Sequence, residues 1–266
     1  MDTLLWLKAL ILGILEGATE FLPISSTGHL IIAADLLHYT GEQAKVFEIV
    51  IQLGAIVAVV YNYRAKVGNV VGGLGSDPVA QRFAVNLLIA FLPASMLGVA
   101  LHGFIKSHLF NPFTVAAALM AGGFVILAIE HFKPAPRIHS VDEMRWPDAL
   151  KVGLAQSFAL FPGVSRAGST IMGGLVVGLS RPAATEFSFF LAIPTMFAAT
   201  TYDLYKNLDI LHTEDFVLFA IGFAAAFVSA LIVVRSLLAY VGRHDFKIFA
   251  YYRIVFGLVV LWYFWP

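Results

Sequence analysis

Residues 16–29 have the sequence Glu16-Gly-Ala-Thr-Glu20-Phe-Leu-Pro23-Ile-Ser25-Ser26-Thr27-Gly28-His29 and follow a run from Leu4 to Leu15 that is apolar except for Lys8. Glu16 and Glu20 are four residues apart, so on a helix they project from one face, with about 5–6 Å between their Cβ atoms. Pro23 predicts the end of that helix because it has no amide hydrogen, and Ser25 to Gly28 predict a turn. The stretch therefore predicts a helix that carries two acids into apolar surroundings and breaks there.

The composition of the whole chain is that of a membrane protein. Of 266 residues, 59% are hydrophobic and 13% are charged, and the mean hydropathy is +0.84. Soluble domains have about 45–50% apolar and 25% charged residues. The formal net charge is zero, so we expect no nucleic-acid partner, and the absence of cysteine excludes disulfides. No basic region precedes the first apolar run, so we expect no cleaved signal peptide.

The apolar segments predict an all-α polytopic membrane protein, because about 20 residues of helix cross the hydrocarbon core. Two further apolar regions, 4–37 and 149–179, are interrupted near their middle by Pro, Gly, Ser and charged or imidazole side chains. Each half is too short to span, so we expect two re-entrant helical hairpins, whose irregular backbone must be buried in protein or line a cavity. The six predicted transmembrane helices are Phe47–Tyr63, Phe83–Gly103, Pro112–His131, Glu186–Tyr202, Phe216–Arg235 and Phe246–Trp265.

Basic residues predict the orientation of these spans. Three loops are rich in lysine and arginine, and the positive-inside rule makes them cytoplasmic. The second hairpin then enters from the cytoplasm and the first from outside. The residues in these loops are Arg64, Lys66 and Arg82, then Lys133, Arg137 and Arg145, then Arg235, Arg243 and Lys247.

The two interrupted regions align with each other when the chain is shifted by 140 residues. The shift pairs identical residues without a gap: Trp6 with Trp146, Gly13 with Gly153, Ser25 with Ser165, Gly28 with Gly168 and Phe47 with Phe187. Each half would hold one hairpin and three spans, and an odd number of spans inverts the second copy. We therefore predict a single integral membrane domain, residues 1–266, with repeat one at 1–131, a cytoplasmic linker at 132–145 and repeat two at 146–266. Such repeats place their sites near the midplane.

The second hairpin has the sequence Pro162-Gly163-Val164-Ser165-Arg166-Ala167-Gly168-Ser169-Thr170 at a predicted helix N-terminus. Free amides, the positive end of the helix dipole and a guanidinium fork favour an anion such as phosphate. The alternative is structural, since serine and threonine often cap helices and intramembrane Glu and Arg can pair with each other. The hairpin therefore predicts an anion site.

Together the hairpins supply Glu16, Glu20, Ser25, Ser26, Thr27, His29, Ser165, Arg166, Ser169 and Thr170. Two acids beside a phosphate site suggest a divalent cation. His29 can serve as base, acid or nucleophile, and Ser26 as an activated nucleophile. This set is typical of phosphoryl transfer, in which positioning and charge stabilisation dominate.

A secondary transporter or lipid flippase is the alternative, because inverted repeats, broken helices and a midplane anion site are also features of carriers. A carrier has no need of a nucleophile beside its anion site, which favours the enzyme. Hydrolysis combined with return of the lipid across the bilayer stays open.

At these motifs the chain is similar to the undecaprenyl-pyrophosphate phosphatase family, also called bacitracin-resistance proteins. The resemblance covers essentially the whole chain. It departs from the family at Ala167, where a serine is common, so one hydroxyl contact is absent. The motifs that carry it are Glu-x-x-x-Glu with Pro-x-Ser-Ser-Thr-Gly-His at 16–29, Phe47-Glu-Ile-Val-Ile-Gln-Leu-Gly-Ala55, Gly153-Leu-Ala-Gln156 and Pro-Gly-x-Ser-Arg at 162–166.

The resemblance implies an enzyme that removes the terminal phosphate of undecaprenyl diphosphate, a polyprenyl diphosphate lipid, and so recycles the carrier for cell-wall synthesis. It implies a multi-pass protein of the bacterial cytoplasmic (inner) membrane, with a site open to the outer, periplasmic face and a Mg²⁺ or Ca²⁺ cofactor. We leave a homodimer open. The implied roles are metal binding by Glu16 and Glu20, catalysis by Ser26, His29 and Glu20, and diphosphate binding by Arg166, Ser165, Thr170, Ser25, Thr27 and Ser169.

Overall fold

The computed structural model describes residues 3–206 and 216–265, so residues 1, 2, 207–215 and 266 of the predicted repeats lie outside the described residues. The described chain is helical, in agreement with the predicted all-α class. Its α-helices are α1 (Thr3–Thr19), α2 (Ser26–Leu36), α3 (Glu42–Asn62), α4 (Arg64–Gly73), α5 (Pro78–Phe104), α6 (Pro112–Phe132), α7 (Trp146–Gln156), α8 (Arg166–Val177), α9 (Arg181–Lys206), α10 (Phe216–Val241) and α11 (Lys247–Tyr263).

Both predicted interruptions are present. Helix α1 ends at Thr19 and α2 begins at Ser26, while α7 ends at Gln156, continues as a short 3₁₀ turn and is followed by α8 from Arg166. In each pair the two helices pack against each other, so each interrupted region forms a hairpin. The predicted turn at 25–28 is wrong in its extent. The chain reverses over residues 20–25, and the left-handed φ of Ser25 allows a regular helix from Ser26 onward.

Five helices of the described part are long and apolar enough to cross a membrane. They correspond to the first five predicted spans. Helix α11 has 17 residues and a length of roughly 25 Å, at the lower limit for a span. The sixth span therefore stays a prediction. The five spans are sufficient to make the chain an all-α polytopic membrane protein.

The two hairpins pack against helices that correspond in the predicted repeat. Helix α1 packs on α10 and α7 packs on α5, while α6 packs against α11 and α3 against α9. Glycine permits the closest approaches, because a Cβ atom on Gly13 would collide with the backbone of Gly222, and one on Gly153 with that of Ala90. These contacts have the pattern that an inverted repeat requires. The repeat and its boundaries stay predictions.

Candidate active site

The breaks of the two hairpins face a common cavity of about 200 Å³. Six of the ten predicted site residues line it, and they come from both hairpins. Helix α3 contributes Gln52 and helix α9 contributes Thr195, Met196 and Ala199. The predicted residues in the wall are Glu20, Ser25, Ser26, Thr27, Ser165 and Arg166. The prediction that the two motifs form one site is therefore consistent with the fold.

Ser26 and Glu20 form the shortest polar contact between side chains in this cavity. The Ser26 hydroxyl donates to Glu20 Oε2 over 2.6 Å, and both side chains are at least nine-tenths buried. A carboxylate at this distance can accept the hydroxyl proton when the oxygen attacks an electrophile. The pair therefore has the geometry of a nucleophile with its general base.

Arg166 connects the two hairpins through the same carboxylate. Its Nη2 donates to Glu20 Oε1 over 3.1 Å, and its Nη1 donates to the backbone oxygen of Ser188 over 3.0 Å. The guanidinium also lies 5.5 Å from the centre of the Phe21 ring. Its Nε is buried and has no hydrogen-bond partner among the described residues. Arg166 is thus oriented by protein groups, and it lies in the wall of the cavity as a positive charge that an anion could meet.

Thr170 and Ser165 support this arrangement in different ways. The Thr170 hydroxyl donates to the hydroxyl of Ser188 over 2.6 Å, so Thr170 orients Arg166 through Ser188 and does not line the cavity. Ser165 lines the cavity, and its side-chain oxygen caps α8 by accepting from the amide of Gly168 over 3.0 Å. Ser169 lies in the first turn of α8, outside the wall.

Glu16 is a buried residue of α1 that does not line the cavity. Its side chain is 2% exposed, and its Oε2 has no hydrogen-bond partner in the described part of the chain. Its carboxylate interacts electrostatically with three charged groups, those of Glu20, Glu48 and Arg166. Burial of a carboxylate oxygen without a hydrogen-bond donor is costly unless a bound cation neutralises its charge.

His29 is oriented away from the cavity. Its Nδ1 lies 2.8 Å from the backbone oxygen of Ser25 and its Nε2 lies 2.6 Å from the Tyr252 hydroxyl. The ring also stacks on Phe256, with 4.1 Å between centroids. A carbonyl oxygen can only accept, so Nδ1 carries the hydrogen and, in the neutral ring, Nε2 accepts from Tyr252. Both nitrogens are engaged, and the structure does not bring His29 to the Ser26 hydroxyl.

Several residues around the site were not predicted from the sequence. Ser188 and Thr195 lie on α9 and Tyr252 and Arg253 on α11, where neither helix carries a local motif. The one usable signal is the charge of Arg253 inside an apolar segment. Gln52, which belongs to one of the family motifs, lines the cavity.

Comparison with known proteins agrees with this description. Residues 9–259 match the family model described as "Bacitracin resistance protein BacA". The chain is 61% identical over 261 residues to an undecaprenyl-diphosphatase of Aromatoleum aromaticum, covering 98% of this chain and 95% of that protein. It is 60% identical to one of Nitrosospira multiformis, at 98% and 96% coverage, and 57% identical to one of Methylobacillus flagellatus, at 100% of both.

The family resemblance predicted from the motifs is thereby confirmed. The matched residues include the breaks of both hairpins and every residue that lines the cavity. The chain belongs to the bacitracin resistance protein BacA family.

Proposed function

We propose that this protein hydrolyses undecaprenyl diphosphate to the monophosphate and inorganic phosphate, with Ser26 as nucleophile and Glu20 as its base. The observation that carries the proposal is the 2.6 Å hydrogen bond between these side chains, in a cavity that also contains Arg166. Relatives at 57–61% identity bear the name undecaprenyl-diphosphatase. The product is the lipid carrier that cell-wall synthesis reuses, and bacitracin resistance follows from that recycling.

In the first step Ser26 Oγ attacks the terminal phosphorus. The new Oγ–P bond forms as the bond from phosphorus to the bridging oxygen breaks, and the polyprenyl monophosphate leaves with that oxygen. The proton of the hydroxyl passes to Glu20 Oε2. The Arg166 guanidinium, which belongs to the wall of the cavity, would offset the charge that accumulates on the phosphoryl oxygens.

In the second step water hydrolyses the phosphoserine. The water oxygen bonds to phosphorus and the bond to Ser26 Oγ breaks. The protons of the water leave with the released inorganic phosphate, and the serine oxygen is freed. Glu20 is the group within reach of Oγ, so it returns the proton that it took in the first step.

We further propose that Glu16 and Glu20 hold a divalent cation, Mg²⁺ or Ca²⁺. The unpartnered oxygen of Glu16 fits such an ion, since hard cations prefer carboxylate oxygens. Within the described residues no group of three or more His, Asp or Glu side chains is arranged as a metal site. When bound, the ion would neutralise charge on the diphosphate.

His29 has a positioning role in this proposal. It holds the backbone oxygen of Ser25, the residue at which the first hairpin turns into α2. Ser26 follows directly, so the imidazole fixes the position of the nucleophile without touching the substrate.

The lipid tail would leave the cavity between the tip of the second hairpin and α9. Ala159 and Phe161 on one side and Ala199 on the other line the cavity and are partly or largely exposed. All three are apolar, as contact with an isoprenoid requires. Ala199 lies in the half of α9 that is remote from the basic loops, so we place the opening on the outer face of the bacterial inner membrane.

Phosphate release from undecaprenyl diphosphate by detergent-purified protein tests the proposal. We expect release in Mg²⁺ or Ca²⁺, and loss of at least about 1,000-fold in Ser26→Ala and in Glu20→Gln. Ser236→Ala is the matched control, because Ser236 is an exposed serine of α10 whose hydroxyl donates to the backbone oxygen of Ile232 in its own helix. No release from folded wild-type protein with either cation would refute the proposal and direct attention to lipid transport in vesicles.

A further inference from the structure

Arg253 is the largest of the fully buried side chains, although it belongs to the apolar helix α11. It is 1% exposed. All five of its hydrogen bonds go to backbone carbonyl oxygens: from Nε to Leu119 over 3.2 Å, from Nη1 to Pro23 over 3.1 Å and Val164 over 3.0 Å, and from Nη2 to Ala118 and Gly163 over 3.1 Å each.

Three of these acceptors belong to the breaks of the hairpins. Pro23 lies two residues before Ser25, and Gly163 lies two residues before Ser165. Positions 23 and 163 differ by 140, the shift that aligns the two interrupted regions. One guanidinium therefore binds corresponding carbonyl groups of both hairpins, at the point where both chains turn toward the cavity.

This arginine has no ion-pair partner among the described residues, because the ion pairs found there involve other side chains. An unpaired charge in a membrane protein is expensive, and such residues are usually functional. Helix α6 leaves space for the Arg253 guanidinium. A Cβ atom on Gly122 would collide with the guanidinium, so α6 requires glycine at that position.

Arg253 also stands apart from the cavity. It does not line the wall, whereas Pro162, Gly163 and Ser165 of the segment that it holds do. Its nitrogens are occupied by carbonyl oxygens, and none is left for a phosphate. Its influence on the reaction must therefore pass through the backbone that it binds.

We propose that Arg253 is a positioning residue of this enzyme, a clamp that fixes the two hairpin breaks relative to each other and so brings Ser26 and Glu20 to Arg166. The inference rests on the proposed phosphatase function for its kinetic part only. Because Ser26 and Arg166 follow the clamped segments within three residues, a small displacement of either break separates the nucleophile from its electrostatic partner. A misplacement of about 1 Å can reduce turnover by about 100-fold.

The test compares Arg253→Ala and Arg253→Lys with the wild-type enzyme. We expect kcat to fall by about 100-fold in Arg253→Ala, with little change in KM, and methylguanidine to restore part of the loss by occupying the vacated space. Arg253→Lys keeps the charge but cannot bridge several carbonyls at once, so it should remain impaired. Arg235→Ala is the matched control, since Arg235 lies on α10 and donates its Nε to Asn62 at an exposed position.

Hydrogen exchange provides a second measurement that does not depend on activity. In Arg253→Ala, exchange should rise together in segments 17–27 and 157–168 and remain at the wild-type level in α10. If wild-type protein released no phosphate, this exchange pattern would still support the clamp while the proposed function failed. An increase in KM with unchanged kcat would instead make Arg253 a phosphate ligand. Unchanged kcat, failure of methylguanidine to rescue, or exchange raised equally throughout the chain would each overturn the proposal.

Discussion

Ser25 and Ser165 have nearly the same unusual backbone conformation, with φ and ψ of 71° and 101° at Ser25 and of 76° and 118° at Ser165. Each is the residue before a helix that begins at the cavity. A positive φ is costly for any residue with a Cβ atom, and such strain persists where the surrounding structure fixes it. The two hairpins therefore use the same turn to present Ser26 in one case and Arg166 in the other.

The caps of the two helices differ, which allows a comparison of variants. The Ser165 side chain accepts from the amide of Gly168, whereas the Ser25 side chain caps no amide. We expect Ser165→Ala to reduce the free energy of unfolding by about 1 kcal/mol and Ser25→Ala to leave it nearly unchanged. Ser25→Gly should increase it by about 1 kcal/mol, because glycine relieves the strained φ. Denaturant unfolding in detergent measures all three, and equal losses in both alanine variants would contradict the cap.

The sequence was sufficient for the hairpins because their signals are local. Pro, Gly and Ser interrupt two apolar runs, and the shift of 140 aligns Ser26 with Arg166 before any contact is known. It was insufficient for Tyr252 and Arg253. Both lie in α11, where Tyr252 is 223 residues from its partner His29 and Arg253 is 90 residues from Gly163, so only tertiary packing brings them to the breaks. His29 differs from both, since its spacing suggested catalysis, whereas its ring nitrogens contact Ser25 and Tyr252 and it does not line the cavity. Its catalytic role stays a prediction.

The covalent intermediate can be identified directly. If Ser26 attacks phosphorus, rapid acid quenching during turnover should leave a phosphoryl group on the peptide that contains Ser26, and mass spectrometry locates it there. Phosphoserine survives acid, whereas phosphohistidine does not, so a parallel quench in base is needed to detect the latter. A phosphoryl group on His29 in the base-quenched sample would remove Ser26 from the role of nucleophile.

Cation binding should depend on Glu16 even without substrate. A ligand that binds only the folded state at 100 times its dissociation constant stabilises that state by about 2.7 kcal/mol. We therefore expect Mg²⁺ or Ca²⁺ to raise the melting temperature of wild-type protein and to have little effect on Glu16→Gln. Glu143→Gln is the matched control, because Glu143 is a carboxylate in the linker that caps a 3₁₀ turn. An equal shift in Glu16→Gln would place the ion elsewhere.

The hydrogen bond from Tyr252 to His29 allows a test of whether His29 positions the nucleophile or acts as a catalytic base. Tyr252→Phe removes the donor to Nε2 and keeps the stacked rings, so we expect a loss of about 1 kcal/mol in stability and a decrease in kcat of roughly threefold or less. The pH dependence of kcat should keep its shape. A displaced pH profile in Tyr252→Phe would show that the protonation state of His29 controls the rate. His29 would then be the general base in place of Glu20.

Glu130 tests whether stability and turnover can be separated. Its buried carboxylate accepts from Arg181 Nε over 3.0 Å, from Arg181 Nη2 over 2.7 Å, from the amide of Phe246 over 2.9 Å and from Lys133. Glu130→Gln leaves these cations without their counter-charge, so we expect a loss of about 3–5 kcal/mol in the free energy of unfolding.

Asp245→Asn is the control for Glu130→Gln, because Asp245 pairs with Lys247 at a much more exposed position and should cost less than about 1 kcal/mol. Glu130 does not line the cavity. The fraction of Glu130→Gln that remains folded should therefore release phosphate at the wild-type kcat, measured at a temperature well below its melting point. A decrease in kcat of that folded fraction would show that the packing of α6 against α11 affects the hairpin breaks. A loss of stability no larger than that of Asp245→Asn would show that the ion pairs of the Glu130 carboxylate are not buried.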